Sequence, residues 1–379
     1  MKLPLLSIIP SVLVMLTLHS PSAQAAGFDC AKATTQVERT ICGTPVLSAL
    51  DEQLNEQYKG LKHLQVFRLM ETQWLSDVRN ECETVSCLED AYRTQQRLLS
   101  PATLVAPVDQ TTLKPLPPGQ RYSMTEDEPW DRYTLASFEG VRAGGDQQIV
   151  DAAVISGVLH VVLFVGKYRP DEPGYVGNLY EYVDNKPGLH IIASEVAFVG
   201  WAAPARNDQG MRFAGISDGV FYYRQHQAGN LQKGMAYRIA SRQAPKESTQ
   251  VFQVPSNTLL NAKANVTEDV NTLNNQLTLN YPVAAFGTYA ERVADPDAPG
   301  IPDTGWGIVN PTWSETRPVL YFDNNGARAC IWRVDLATKT LSKIVPEHEA
   351  VSGHSIEFNG REALVYLDGN ALKFAMAPD

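Results

Sequence analysis

Beyond Ala26 the sequence has no apolar run able to cross a bilayer, no Walker or Rossmann glycine pattern and no C-x-x-C pair. These absences argue against a second membrane segment, a P-loop or dinucleotide enzyme and a thioredoxin-like redox role. From Arg132 onward no long amphipathic helical stripe occurs either, which leaves all-β architectures for most of the chain. Cations are short as well: 32 Lys and Arg against 42 Asp and Glu give a net charge of -10. That balance disfavours nucleic acid and anionic membrane surfaces and suits a cationic protein partner. Cysteine is scarce after the first quarter of the chain, where only Cys330 remains of five.

The front of the chain carries Lys2, an apolar run from Leu3 to Leu18 broken by Pro10, and the small-residue stretch Ala23-Gln24-Ala25-Ala26. This pattern predicts a Sec-type signal peptide over residues 1–26, cleaved near Ala25 or Ala26. Gly27, Phe28 and Asp29 separate the small residues from Cys30, so no lipobox is formed. The expected product is a soluble, exported, periplasmic protein with no stable membrane insertion after cleavage.

Residues 27–100 are expected to form a helical domain. Thr35 and Glu38 make a T-x-x-E capping box for a short helix that stops at Gly43. Thr44-Pro45 opens a second helix with Leu47, Leu50, Leu54, Tyr58, Leu61 and Leu64 at helical spacing. Phe67, Met70, Trp74, Val78 and Cys82 define a third, and Ser86 with Glu89 is read as a second capping box before Leu88, Tyr92, Gln95 and Leu99. A module this small needs staples. Four cysteines, Cys30, Cys42, Cys82 and Cys87, allow three connectivities. Local pairing, Cys30 with Cys42 around the short helix and Cys82 with Cys87 across a turn, is favoured.

Six prolines among polar residues mark residues 101–131 as a semi-rigid linker. Residues 132–379 then read as a large all-β domain, with candidate strands from "RYTLASF" through "LHVVLFVGKY", "GVFYYRQ", "TQVFQV", "QLTLNYP" and "ARACIWRVDL" to "ALKFAMA". Asn325-Gly326, Asn359-Gly360 and Asp368-Gly369 supply hairpin turns. The unit from Pro318 to Val345 has the strand-hairpin-strand order of a propeller blade, so the fold class is α + β in two domains, with a β-propeller as the finer expectation.

Candidate chemistry in the β region is thin. "GISDG" places Ser217 in a G-x-S-x-G pattern, but a strand follows where a nucleophile elbow needs a helix, so Ser217 and Asp218 are read as a hairpin turn. His348, Glu349 and His354 have the wrong spacing for a zinc-protease helix and are read as surface loop residues. Asp295, Asp297 and Asp303 lack an EF-hand pattern and read as a solvated loop. Alternation puts Cys330 on one strand face with Trp332 and Val334 as an inert buried thiol. Tyr168, Tyr175, Trp201, Trp306 and Trp313 are read mainly as core aromatics, and "VGKYRPDEPGYVGN" as a polar contact loop. No catalytic residue, cofactor or metal is expected.

The helical module has a more specific signal. "FDCAKATTQVERTIC", "LSALDEQLNEQY", "QWLSDVRNEC" and "CLEDAYRTQQRLL", with Glu38, Asp51, Tyr58, Trp74, Arg79 and Tyr92 in order around the four cysteines, closely resemble the LprI-type lysozyme-inhibitor N-terminal domain family. Gln95 departs from it where the family often carries arginine. The resemblance spans about residues 28–100 and implies a protein that blocks a lysozyme-like muramidase, of a host or a rival bacterium, by direct contact. Asp51, Glu52, Glu56, Glu81, Glu83, Glu89 and Asp90 would steer a cationic partner. The alternative is a cell-envelope interaction or structural protein that uses the β domain as a recognition platform. An enzyme built on Ser217 or His354 is a third reading.

Overall fold

The computed structural model describes residues 27–102, 117, 119–125, 128–137, 146–169, 174–198, 214–226, 232–250, 308–314, 316–324, 330–346 and 350–378. The leader, the Asp295–Asp303 segment, Val251–Val254 of "TQVFQV", "QLTLNYP", Trp201, Trp306, Asn325-Gly326, His348 and Glu349 lie outside them. A small helical part carries two disulfides, and a large all-β region follows.

Four helices are described: α1 (Gln36–Gly43), α2 (Pro45–Leu61), α3 (Gln65–Trp74) and α4 (Val85–Leu99). The Thr35–Glu38 capping box is present, with Thr35 Oγ1 accepting from Glu38 N at 3.1 Å and Glu38 Oε2 accepting from Thr35 N at 3.0 Å. Those backbone donors, Thr35 and then Thr34, hold the Glu38 carboxyl below the usual range. Leu64 does not continue α2 but stands as the residue before α3. A π-helical turn, Leu75–Arg79, ends α3 before the Cys82 staple. The second cap differs from the sequence reading: Thr84 Oγ1, not Ser86, accepts from Cys87 N at 3.1 Å, and Ser86 lies inside α4. The disulfides are the local pairs, Cys30–Cys42 with Cα atoms 5.9 Å apart and Cys82–Cys87 with Cα atoms 5.5 Å apart.

Among the described residues the β strands form three sheets of five, eight and four strands. The eight-stranded sheet is built on long hairpins, where Val158–Arg169 pairs with Gly174–Val183 out to Arg169 opposite Gly174. The expected polar contact loop from Val165 to Asn178 is therefore mostly paired strand, a correction that follows from its alternating Val, Tyr and Gly residues. Ser123–Thr125 pairs parallel with Thr340–Ser342, and Tyr122 and Trp130 are buried. The last third of the proline-rich segment thus belongs to the β region rather than to a linker. The turn after Arg361–Asp368 is centred on Gly369-Asn370, one residue later than expected, because Asp368 still pairs with Ala371.

One irregular strand stitches the sheets together. Ala350–Phe358, in the four-stranded sheet, bulges between Val351 and His354, with Ser352 at φ +58°. There Ser352 N and Gly353 N donate to Asp323 of the five-stranded sheet at 2.7 and 3.3 Å. Ser352 Oγ accepts from Ile149 N of the eight-stranded sheet at 2.8 Å.

The helical part and the β region share one hydrophobic core. It runs from Ile41, Leu47, Leu54, Phe67, Trp74, Tyr92 and Leu99 to Leu135, Val161, Leu163, Tyr182, Phe358, Val365 and Phe374. Phe67 packs on Phe358 at 5.5 Å, and Phe358 on Phe374 at 5.3 Å. Backbone polarity is satisfied across the same junction. α3 has no side-chain cap of its own, and Asp184 of the β region serves instead: its carbonyl accepts from Gln65 N and its Oδ1 from Val66 N, both at 3.0 Å. At the end of α4, Asn359 Nδ2 reaches the carbonyls of Leu98, Leu99 and Ser100 at 3.3–3.4 Å, and Arg361 donates to Arg97 O at 2.7 Å. Gly360 is at φ +74°, where a Cβ would meet Ala102 O at 2.4 Å, so this turn can only approach the helix end as glycine.

Candidate interaction site

Glu38 caps α1, whereas Asp51, Trp74, Arg79 and Tyr92 converge on one polar cluster between the other helices. Tyr92 donates to Asp51 Oδ1 at 2.5 Å, linking α4 to α2. Tyr92 also meets Trp74 edge-on at 5.1 Å, and the Arg79 guanidinium lies 6.0 Å from the Trp74 ring centroid. Arg79 further donates to Asn80 Oδ1 at 3.0 and 3.1 Å. Gln95, only 2% exposed, donates to Glu71 Oε2 at 3.2 Å. Burial pushes the Glu71 carboxyl up, against the Gln95 hydrogen bond and Arg79. Burial and the Asp51 carboxylate push the Tyr92 phenol well up. Tyr58 packs half-buried against the core, its phenol also raised by burial and by Glu71.

These positions therefore hold the bundle together rather than meet a partner. Asp51 is 8% exposed and cannot steer an approaching protein, which corrects its place among the steering carboxylates. Side chains three or four residues apart on α2 (Leu50, Asp51, Leu54) had to face α4, so a carboxylate on that stripe is buried with them.

The hydrogen bonds also orient the bundle. Tyr92 to Asp51, Gln96 to Gln53 Oε1 and Gln57 to Ser100 Oγ run in the same direction along both helices, so α2 and α4 are parallel. α3 runs against them, with Glu71 beside Gln95 and Trp74 beside Tyr92. One end, with Gln65 and Ser100, is therefore fixed to the β region. The opposite end carries the start of α2, the π turn, the Cys82–Cys87 staple and the start of α4.

That far end bears Val46, Val78 and Val85, 39%, 44% and 39% exposed. Residues 76–90 hold five carboxylates, Asp77, Glu81, Glu83, Glu89 and Asp90, against one cation, Arg79. Asp77, Glu81, Glu83 and Asp90 are exposed, and Glu89 is half-buried near Arg93. Glu52 is exposed on α2, whereas Glu56 pairs with Lys59. Sequence reading missed Asp77, Val46 and Val85, and it placed Val78 on the apolar stripe of the third helix, whereas the π turn over Leu75–Arg79 leaves it exposed.

In the β region Ser217 ends a strand and pairs with Val220, so Asp218 and Gly219, at φ +49° and +72°, form the hairpin turn. His354 is not a surface loop residue: it is 8% exposed on the bulged strand, with Nε2 2.9 Å from Asp151 Oδ1. Asp151 Oδ2 accepts from Ile216 N at 2.6 Å, so the pair is a sheet-to-sheet tie. Cys330 is buried outside both disulfides and accepts from Trp332 Nε1 at 3.2 Å. Tyr168, Tyr175 and Trp313 lie on strands.

Two buried networks were invisible in the sequence because their members are far apart along it. Glu362 accepts from Tyr321 and, at 2.6 and 3.1 Å, from Arg333, while Arg317 donates to Glu357 at 2.8 Å. Glu181 accepts from Tyr237 at 2.7 Å and Ala240 N at 2.6 Å. Burial opposes ionisation of Glu181, but these donors and His160 hold its carboxyl below the usual range. Among the described residues no group of three or more His, Cys, Asp or Glu could hold a metal ion, and no helix is long and apolar enough to cross a membrane.

The sequence matches no family model and no curated protein. Among solved structures it is similar to the GH43_1 enzyme from Xanthomonas citri, at 12% identity over 66% of this chain and 90% of that one, with a TM-score of 0.31. A Trypanosoma rangeli sialidase mutant aligns at 10% identity over 70% and 60% of the chains, with a TM-score of 0.25. A Bombyx mori GH32 β-fructofuranosidase mutant aligns at 8% over 59% and 40%, with a TM-score of 0.19. Likeness at these TM-scores carries no argument about activity.

Proposed function

We propose that this is an exported, periplasmic binding protein that blocks a lysozyme-like muramidase by protein–protein contact through the far end of its helical bundle. Signal cleavage near Ala25 or Ala26 delivers it to an oxidising compartment, where Cys30–Cys42 and Cys82–Cys87 form and persist. The observation that carries the reading is the three exposed valines at the stapled end, two of which, Val78 and Val85, lie within a strongly acidic stretch. Exposed apolar side chains beside an excess of carboxylates suit a cationic enzyme surface: carboxylates speed encounter, and apolar contacts slow release. The LprI-type resemblance of the same segment supports the target class.

The test is a titration of the full chain against a panel of cationic muramidases, read by lytic rate and by co-elution. Stoichiometric loss of rate with a complex on the column is expected. No rate loss and no complex at micromolar concentration would sink the proposal.

A second reading is an envelope recognition protein in which a β-propeller-like platform displays the bundle. It is favoured by the shared core and the two caps that join the parts, since an independent inhibitor needs no such joint. Capture of an envelope component by the full chain, with no muramidase bound, would select it.

A further inference from the structure

The first described residue is held in place by α2. Gly27 N donates to Asp51 Oδ2 at 2.6 Å, and Gly27 O accepts from Asn55 Nδ2 at 3.4 Å. A Cβ on residue 27 would lie 2.5, 2.6 and 2.7 Å from Asn55 side-chain atoms, including Asn55 Cβ, so only glycine fits against the helix. The carboxylate it meets is 8% exposed, and its other oxygen takes the Tyr92 hydroxyl. Among the described residues no Lys, Arg or His is in ion-pair contact with Asp51 itself: its hydrogen bonds come from neutral groups, and Arg79 acts on the Tyr92 hydroxyl rather than on the carboxylate. A carboxylate so placed is poorly compensated unless a cation joins it.

We propose that the mature chain begins at Gly27 and that its new α-ammonium group forms an ion pair with the buried carboxylate of Asp51, so that processing completes the core of the helical bundle. The inference rests on the exported reading above. The step is hydrolysis of the Ala26–Gly27 bond by an endopeptidase of the signal-peptidase class. Water adds its hydroxyl to the Ala26 carbonyl carbon, the leader departs as a carboxylate, and the Gly27 nitrogen takes up protons to become an ammonium. Cleavage one residue earlier would leave Gly27 N as an amide and place the charge outside the contact.

The full chain with its leader is expressed in a Gram-negative host, and the exported protein is analysed by intact mass and N-terminal sequencing. A chain starting at Gly27 is expected. A chain starting at Ala26 or elsewhere overturns the inference and leaves export standing. An unprocessed chain retained in the cytosol overturns both. Thermal melting then compares the Gly27 chain with the same chain carrying Ala26 ahead of it. The extended form is expected to melt about 2 °C or more lower at neutral pH. Equal midpoints would show that the ammonium adds nothing and overturn the ion pair, with no mutation needed. Asp51→Asn, where it folds, is expected to abolish the difference.

Discussion

Asp184 does at long range what Thr35 and Thr84 do locally: it gives the first orphan amides of a helix an acceptor. Asp184→Ala should lower stability by about 1–2 kcal/mol in denaturant melts, with Asp184→Asn costing less because it keeps one acceptor oxygen. Glu71 offers a prediction of opposite sign. Burial raises its folded-state carboxyl above the unfolded value, so folding favours the protonated form. That contribution is full below the unfolded carboxyl range and is lost as pH rises through the folded value. Glu71→Gln should therefore raise the melting midpoint at neutral pH and leave it unchanged at about pH 3, where both forms are neutral. Trp74 and Tyr92 were legible because local spacing puts each on the apolar stripe of its helix, whereas Asp51, buried on the stripe of Leu50 and Leu54, was read as a steering carboxylate. Asp184, 118 positions from the amide it caps, was not.

Helices and staples were the most readable elements, since period, caps and cysteines agree there. The one misplaced cap shows where pattern fails: Ser86-x-x-Glu89 fits the capping box, yet Thr84 holds the extended conformation that an N-cap needs. Thr84→Ala should cost about 1 kcal/mol and Ser86→Ala only tenths in the same melts. Among strands, Asp146–Ile155 was missed because it opens on Asp-Gln-Gln, and Ile308–Trp313 because Pro311 sits inside it. His354 was read as loop because Gly353 beside it marks a bulge within a strand rather than a break.

Across the whole molecule the sequence suggested two domains and a linker, whereas Phe67 of α3 packs into the β region on Phe358. Composition and the proline run cannot report a core shared between distant segments. Phe67→Ala should cost about 3–5 kcal/mol, and helical and β amides should lose exchange protection together, in one transition. The joint fixes one end of the bundle and leaves the valine-and-carboxylate end exposed, and the functional account stands on that exposure. The most direct test is a lysis titration of a cationic muramidase with the wild-type chain beside Val78→Arg, a surface change expected to alter stability by no more than about 0.5 kcal/mol. One-to-one loss of lysis by wild type and at least a tenfold weaker effect for Val78→Arg at equal stability are expected. Equal inhibition by both chains, or none by either across the panel, would contradict it.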